Sequence, residues 1–170
     1  FLRDGARARS FPDPYRLAQR WRHLVLTAGR HGSTPFTPTD TCMKQVIDVG
    51  LPPLKQPFSW MVRAGGVLYT AHGPVRPDGT IDTGPIEQQA RLTFENLKRA
   101  VEAGGCTLDD VAQVLIYMTD VADMPAIDAV YREYFKAPYP NRSSAGVALV
   151  VPGMKIEVVA YVVPPSTSGT

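Results

Sequence analysis

Residues 142–163 read RSSAGVALVVPGMKIEVVAYVV, and this stretch decides which fold the sequence can adopt. Pro152 and Gly153 separate two apolar runs, which predicts a hairpin of two strands, 142–151 and 155–163. Side chains alternate between the two faces of a strand, so one face of this hairpin is wholly apolar. We expect helices to pack on that face, which carries Val147, Leu149, Ile156, Val158, Ala160 and Val162.

The opposite face of the predicted hairpin mixes charged, small and apolar side chains. Arg142 and Ser144 lie on it in the first strand, and Glu157 and Tyr161 lie on it in the second. A core would not hold these charges unpaired, and a solvated surface would usually be more polar. The face is either a ligand-bearing interface between subunits or an open surface. A simple hairpin places Glu157 opposite Ala148, about 20 Å from Arg142 at roughly 3.3 Å per residue.

Strands and helices alternate upstream of this stretch. The predicted elements are, in order, strands at 58–63 and 67–71, a helix from Pro85 to Gly104-Gly105, a strand at 111–118 and a helix at 127–135. Helical spacing predicts one buried stripe on each helix: Ile86, Ala90, Thr93, Leu97, Ala100 and Val101 on the first, and Ile127, Val130, Tyr131, Tyr134 and Phe135 on the second. Gly65-Gly66 is the hairpin signal between the first two strands, and the run at 111–118 is typical of a buried central strand. The order is therefore β-β-α-β-α-β-β, an α+β fold with two helices on one face of a mixed sheet.

Charge and composition limit the classes of function. Hydrophobic residues make up 44% and charged residues 20% of the chain, as in ordinary globular domains, and no apolar run approaches the roughly 20 residues of a membrane span. Residues 43–170 hold eleven Lys and Arg against thirteen Asp and Glu, a balance of −2, which argues against nucleic-acid binding. The two cysteines, Cys42 and Cys106, form no disulfide framework, which favours a reducing, cytoplasmic compartment.

The first 42 residues differ in composition from the rest. They hold seven Arg, three Asp and no Lys, a balance of +4. We predict an Arg- and Pro-rich extension, 1–42, before a domain at 43–170. The extension is a tag or an upstream-translated segment before Met43, or an organelle targeting segment, since residues 14–28 have an Arg-rich amphipathic pattern.

Several common kinds of site find no support in the sequence. No spacing of His, Cys and carboxylates suggests zinc, and Ser143-Ser144 lacks both a nucleophile-elbow sequence and a nearby His. Gly65-Gly66 is not followed by the Lys-Ser/Thr of a phosphate loop. We therefore expect neither metal nor cofactor. His72 ends a strand beside Gly73, where it either faces a ligand or has a structural role.

Short motifs follow one another in a characteristic order through residues 57–157. They are Pro57-Phe58-Ser59, Gln88-Gln89-Ala90-Arg91 with Glu95-Asn96-Leu97-Lys98, the Ala103-Gly104-Gly105 turn, Tyr117-Met118-Thr119-Asp120, Tyr139-Pro140-Asn141-Arg142-Ser143 and Lys155-Ile156-Glu157. In this order, they resemble the RidA (reactive intermediate deaminase, or YjgF) family. The resemblance implies a chorismate-mutase-like fold and a homotrimer with ligand sites between subunits. It also implies an activity that needs no cofactor, the hydrolysis of enamines and imines such as 2-aminoacrylate to 2-keto acids and ammonia.

The resemblance also implies roles for individual residues. Arg142 would bind the substrate carboxylate, because a guanidinium can bond both oxygens, and Glu157 would hold or activate the attacking water. The other candidate substrate contacts depart from the family's frequent residues: Phe58 replaces Tyr, Ser144 replaces Cys, Asp128 replaces Asn, and His72 lies at or beside a frequent Gly. These departures predict a reshaped pocket, whose substrate need not be 2-aminoacrylate.

The predicted function is therefore deamination of a 2-imino acid. Two alternatives stay open: a non-catalytic trimer that binds a small carboxylate through Arg142, and an endoribonuclease, which the acidic charge of residues 43–170 and the lack of a basic aromatic groove disfavour. We predict further that each site is shared, with Arg142 of one subunit and Glu157 of the next lining one cleft.

Overall fold

A computed structural model describes residues 44–53 and 55–165. In this part of the chain the elements are β1 (Gln45–Val46), β2 (Met61–Ala64), β3 (Val67–His72), α1 (Ile86–Ala103), β4 (Val111–Met118), α2 (Met124–Tyr134), β5 (Asn141–Gly146) and β6 (Ile156–Val162). The strands form one sheet in the order β1-β2-β3-β6-β4-β5. The β4–β5 pair is parallel and the other pairs are antiparallel.

The predicted α+β fold is confirmed, and the short β1 is an addition to it. None of the helices in residues 44–53 and 55–165 has the length and apolar character to cross a membrane. The predicted extension, 1–42, lies outside the described residues, so its boundary stays a prediction.

The local sequence signals predicted the first hairpin and the first helix correctly. Gly65 and Gly66 join β2 to β3 with φ of 57° and 78°, values that glycine adopts at little cost. The helix α1 ends at Gly104, and the predicted stripe is buried against the sheet, namely Ile86, Ala90, Thr93, Leu97, Ala100 and Val101.

A buried glutamine fixes the start of the last strand. Gln89 is fully buried on α1; its Nε2 donates to the carbonyl of Gly153 at 3.0 Å, and its Oε1 accepts from the backbone N–H of Lys155 at 2.8 Å. Both groups lie just before β6, so these two bonds tie the strand that carries Glu157 to the helix layer.

The last two strands do not form a hairpin, and this prediction was wrong. The strand β4 lies between them, antiparallel to β6 on one side and parallel to β5 on the other. The strand β5 ends at Gly146, and residues 147–155 form a loop. A parallel pair needs a long crossover connection, and the helix α2 supplies it between β4 and β5.

The position of β4 changes which residues share a face. Arg142 pairs with Val114, and Val114 pairs with Ala160; paired residues point to the same side of a sheet. Val114 and Ala160 are fully buried beneath the helices, so Arg142 lies on the helix side, and so does Ser144, two residues further on. Glu157 alternates with the buried residues of β6 and lies on the other side. The predicted common face for Arg142, Ser144 and Glu157 is therefore wrong.

Candidate functional site

A cleft of about 270 Å³ opens between α2 and β5. The helix ends where the backbone turns extended at Phe135, and the Tyr139-Pro140 segment then leads the chain back to the edge of the sheet. The lining residues are Asp128, Tyr131, Arg132, Tyr139, Pro140 and Arg142. Residues from the second helix and from the Pro-x-Arg motif thus meet at one place.

Arg142 is held in this cleft by two residues of α2. Its Nη1 donates to Asp128 Oδ1 at 2.6 Å, and its Cζ lies 5.1 Å from the centre of the Tyr131 ring. The first contact is a charge-assisted hydrogen bond and the second is a cation–π contact. Among the described residues the guanidinium makes no other hydrogen bond, so its remaining N–H groups can donate to a ligand.

Tyr131 forms the aromatic support beneath the guanidinium. Its ring stacks on Phe135 with centroids 4.4 Å apart and meets Phe94 edge-on at 5.7 Å. Its hydroxyl is buried and has no hydrogen-bond partner among the described residues. Burial raises the pKa of Tyr131 to about 12, so the phenol stays protonated at neutral pH and cannot act as a base there.

Ser144 lies on the same side of β5 as Arg142, paired with Ile116 and exposed. Ser144 is not among the residues that line the cleft. The structure thus brings Arg142 and Asp128 into contact and leaves Ser144 nearby on the edge strand.

Glu157 occupies the side of the sheet that no helix covers in the described part of the chain. It is half-buried next to Tyr117 on β4. Burial raises the pKa of its carboxyl group, which makes the ionised form a stronger base than an exposed glutamate. The surrounding face is largely apolar and carries Val62, Tyr69, Ala71, Leu115, Tyr117, Val159 and Tyr161.

Phe58 lies far from Arg142 in the sheet. It is exposed just before β2 and packs edge-on against Trp60 at 4.8 Å. The sheet order places β3, β6 and β4 between β2 and β5, which separates β2 from β5 by about 19 Å at about 4.8 Å per strand. Phe58 and Arg142 of one chain therefore cannot contact the same small ligand.

His72 lies in the core rather than in the cleft. It is 1% exposed and stacks on Trp60 at 5.7 Å. Thr70 Oγ1 donates to the carbonyl of Trp60 and lies 2.6 Å from His72 Nε2, so Nε2 carries the ring proton and donates to Thr70. Burial lowers the pKa of His72 to about 3, so the ring is neutral. The predicted substrate contact of His72 is not supported, and the structural role is.

Besides Pro140, three lining residues were not predicted as site residues, namely Tyr131, Arg132 and Tyr139. Tyr131 was assigned only to the buried stripe of its helix, because periodicity cannot show a cation–π contact. Arg132 lies four residues after Asp128, on the same helix face, and Tyr139 directly precedes the Pro-x-Arg motif. The positions of Arg132 and Tyr139 relative to Asp128 and the Pro-x-Arg motif were the sequence signal that could have placed them in the site.

Comparison with known proteins identifies the family. A family model described as endoribonuclease L-PSP matches residues 51–164, which is more than half of the chain. The chain belongs to the RidA family. The resemblance found in the sequence is thus confirmed, and no group of three or more His, Cys, Asp or Glu residues in the described part of this RidA-family chain could hold a metal.

Individual relatives cover most of the RidA-like domain. The 2-iminobutanoate/2-iminopropanoate deaminase of Dermatophagoides farinae is 36% identical over 124 residues, 71% of this chain and 96% of that protein. The mitochondrial protein mmf2 of Schizosaccharomyces pombe is 32% identical over 105 residues, 60% of this chain and 83% of its own. The crystal structure of Escherichia coli TdcF with bound serine has a TM-score of 0.65 and 31% identity, and covers 71% of this chain and 99% of its own. Because the Schizosaccharomyces pombe relative is a mitochondrial protein, the cytoplasmic location of this chain stays a prediction.

Proposed function

We propose that this chain hydrolyses 2-imino acids and their enamine tautomers to 2-keto acids and ammonia, with no cofactor. The observation that carries the proposal is the Arg142 guanidinium, held at the cleft by Asp128 and Tyr131 with N–H groups left to bind a carboxylate. The deaminase name of the Dermatophagoides relative, at 36% identity, supports the same chemistry.

We propose that a neighbouring subunit of a homotrimer completes each site. Arg142 and Glu157 point to opposite sides of their own sheet, and Phe58 lies just before β2, which three strands separate from β5. The apolar face around Glu157 is the kind of surface that an interface covers. A closed three-fold assembly would bring Glu157 and Phe58 of one subunit to the Arg142 cleft of the next.

In the proposed reaction water replaces the imine nitrogen. An enamine first takes a proton on C3 and becomes the iminium, R–C(=NH2+)–COO−. Glu157 accepts a proton from water as the water oxygen bonds to C2. The C=N electron pair moves to nitrogen, which gives a carbinolamine. The carbinolamine nitrogen then takes up the proton held by Glu157, and the C–N bond breaks with its electron pair leaving on ammonia. The hydroxyl proton passes to that ammonia as the ketone forms. The sum is iminium plus water to 2-keto acid plus ammonium.

A coupled assay tests the proposal. A serine dehydratase generates 2-aminoacrylate in the assay mixture. Semicarbazide then traps the imine that has not yet been hydrolysed. We expect this chain to shorten the lifetime of the imine and to release pyruvate and ammonium in equal amounts. Pyruvate binding without any acceleration would instead make the chain a carboxylate-binding member of the family. RNA cleavage that weakens with salt would support the endoribonuclease alternative.

Activity should depend on the ionisation of Glu157. Because burial raises the pKa of this carboxyl group, kcat/KM should fall on acidification at a pH above the ordinary glutamate range. The Glu157→Gln variant should lose about 10²- to 10⁴-fold in kcat/KM, the usual contribution of a positioned base, together with the acid limb of the profile. Glu102→Gln, which removes an exposed carboxylate 3.8 Å from Lys98, is the matched control. An unchanged acid limb in Glu157→Gln would exclude Glu157 as the base.

A further inference from the structure

We propose that Asp128 makes the Arg142 cleft selective for ligands that carry a positively charged nitrogen beside their carboxylate. The cleft would thereby distinguish the iminium substrate from the 2-keto acid product. The inference rests on the proposed function for the identity of the substrate, and its binding preference can be measured without turnover.

The cleft holds a negative and a positive group in contact. Asp128 Oδ1 accepts from Arg142 Nη1 at 2.6 Å, and the two side chains are 27% and 31% exposed. Among the described residues Asp128 Oδ2 has no hydrogen-bond partner. Arg132 also lines the cleft, but its Nη1 donates to the backbone carbonyl of Asp128 at 3.3 Å and not to the carboxylate. The carboxylate thus keeps one oxygen free for a ligand.

A ligand that binds in this cleft meets both charges. Arg142 has already given one N–H to an internal anion, so a ligand carboxylate that binds its other N–H groups lies close to Asp128. Like charges at that distance repel each other. A ligand with a cationic nitrogen on the adjacent carbon offsets this repulsion, because the nitrogen can donate to Asp128 Oδ2 while the carboxylate binds Arg142. The pair is therefore complementary to a zwitterion.

Hydrolysis changes the group that faces Asp128. The substrate presents C=NH2+, a charged donor, and the product presents C=O, an acceptor. An ionised carboxylate only accepts hydrogen bonds, so it can bond the iminium but not the ketone oxygen. An asparagine at this position would have both a donor and an acceptor and would accommodate either group. Asp128 should thus weaken product binding relative to substrate binding.

Binding of two ligands with the same carbon skeleton tests this inference. Alanine carries an ammonium beside its carboxylate, and pyruvate carries a ketone there. By isothermal titration, wild type should bind alanine at least about tenfold more tightly than pyruvate, and Asp128→Asn should lose or reverse that preference, since a charged hydrogen bond is typically worth about a factor of ten or more. Asp128→Glu keeps the charge and should keep the sign of the preference.

The matched control lies on the same helix. Glu133 forms an ion pair with Arg91 at 2.8 Å on the exposed surface and does not line the cleft, so Glu133→Gln should leave both affinities unchanged. The inference would be overturned if wild type and Asp128→Asn, with the same thermal unfolding midpoint, had the same ratio of alanine affinity to pyruvate affinity. An altered ratio without any imine hydrolysis would reject only the proposed function.

Discussion

Replacing Arg142 by alanine should lower kcat/KM for 2-imino acids by about 10²- to 10⁴-fold. The estimate follows from losing two charge-assisted hydrogen bonds of about 1.5–3 kcal/mol each, at about 1.4 kcal/mol per factor of ten. Steady-state kinetics in the coupled imine assay measures it. Arg142→Lys should recover only part of the loss, because an ammonium keeps the charge but not the planar fork that bonds both carboxylate oxygens.

Two further variants separate recognition from general charge effects. Arg132→Ala removes a positive charge from the same cleft lining and should cost much less than Arg142→Ala. The double variant Arg142→Ala, Asp128→Asn removes the carboxylate that the single variant leaves without its partner. If this double variant regained most of the activity, repulsion by Asp128 would explain the loss, and Arg142 would not be the carboxylate-binding residue.

Mixing two inactive variants should restore activity. If Arg142 of one subunit and Glu157 of the next share a site, each mixed trimer of Arg142→Ala and Glu157→Ala subunits contains one intact site. With random exchange at equal amounts, about one quarter of the wild-type activity should return, because three quarters of closed trimers are mixed and one site in three is intact. The coupled imine assay, before and after exchange, measures the recovery.

Exchange itself must be shown independently. Differently tagged subunits, purified through one tag and probed for the other, establish that mixed oligomers exist. Mixing Arg142→Ala with tagged Arg142→Ala is the control, and it should stay inactive. If mixed trimers form and no activity returns, Arg142 and Glu157 serve a site within one subunit, and the shared-site proposal fails.

Much of the fold follows from signals that act over a few residues. Gly65-Gly66 predicted the hairpin because positive φ is a local property of the backbone. The helical spacing from Ile86 to Val101 predicted the buried stripe, since a helix needs no partner to define its faces. The apolar run of β4 marked a strand buried between neighbours. The motif order likewise indicated the RidA family without any structure.

Only the tertiary structure decided where the site residues point. A strand's alternation assigns its residues to two faces, but which face of one strand matches which face of another depends on the long-range pairing. The loop at Pro152-Gly153 resembled a hairpin turn, whereas β4 takes the place between β5 and β6. That pairing carries Arg142 to the helix side, where Asp128, fourteen residues earlier, meets it, and leaves Glu157 on the opposite side. The sequence determined which residues are available for chemistry. The strand order decided that Arg142 contacts Asp128 and that Glu157 faces away, because the residues of one strand do not specify which distant strand will pair with it.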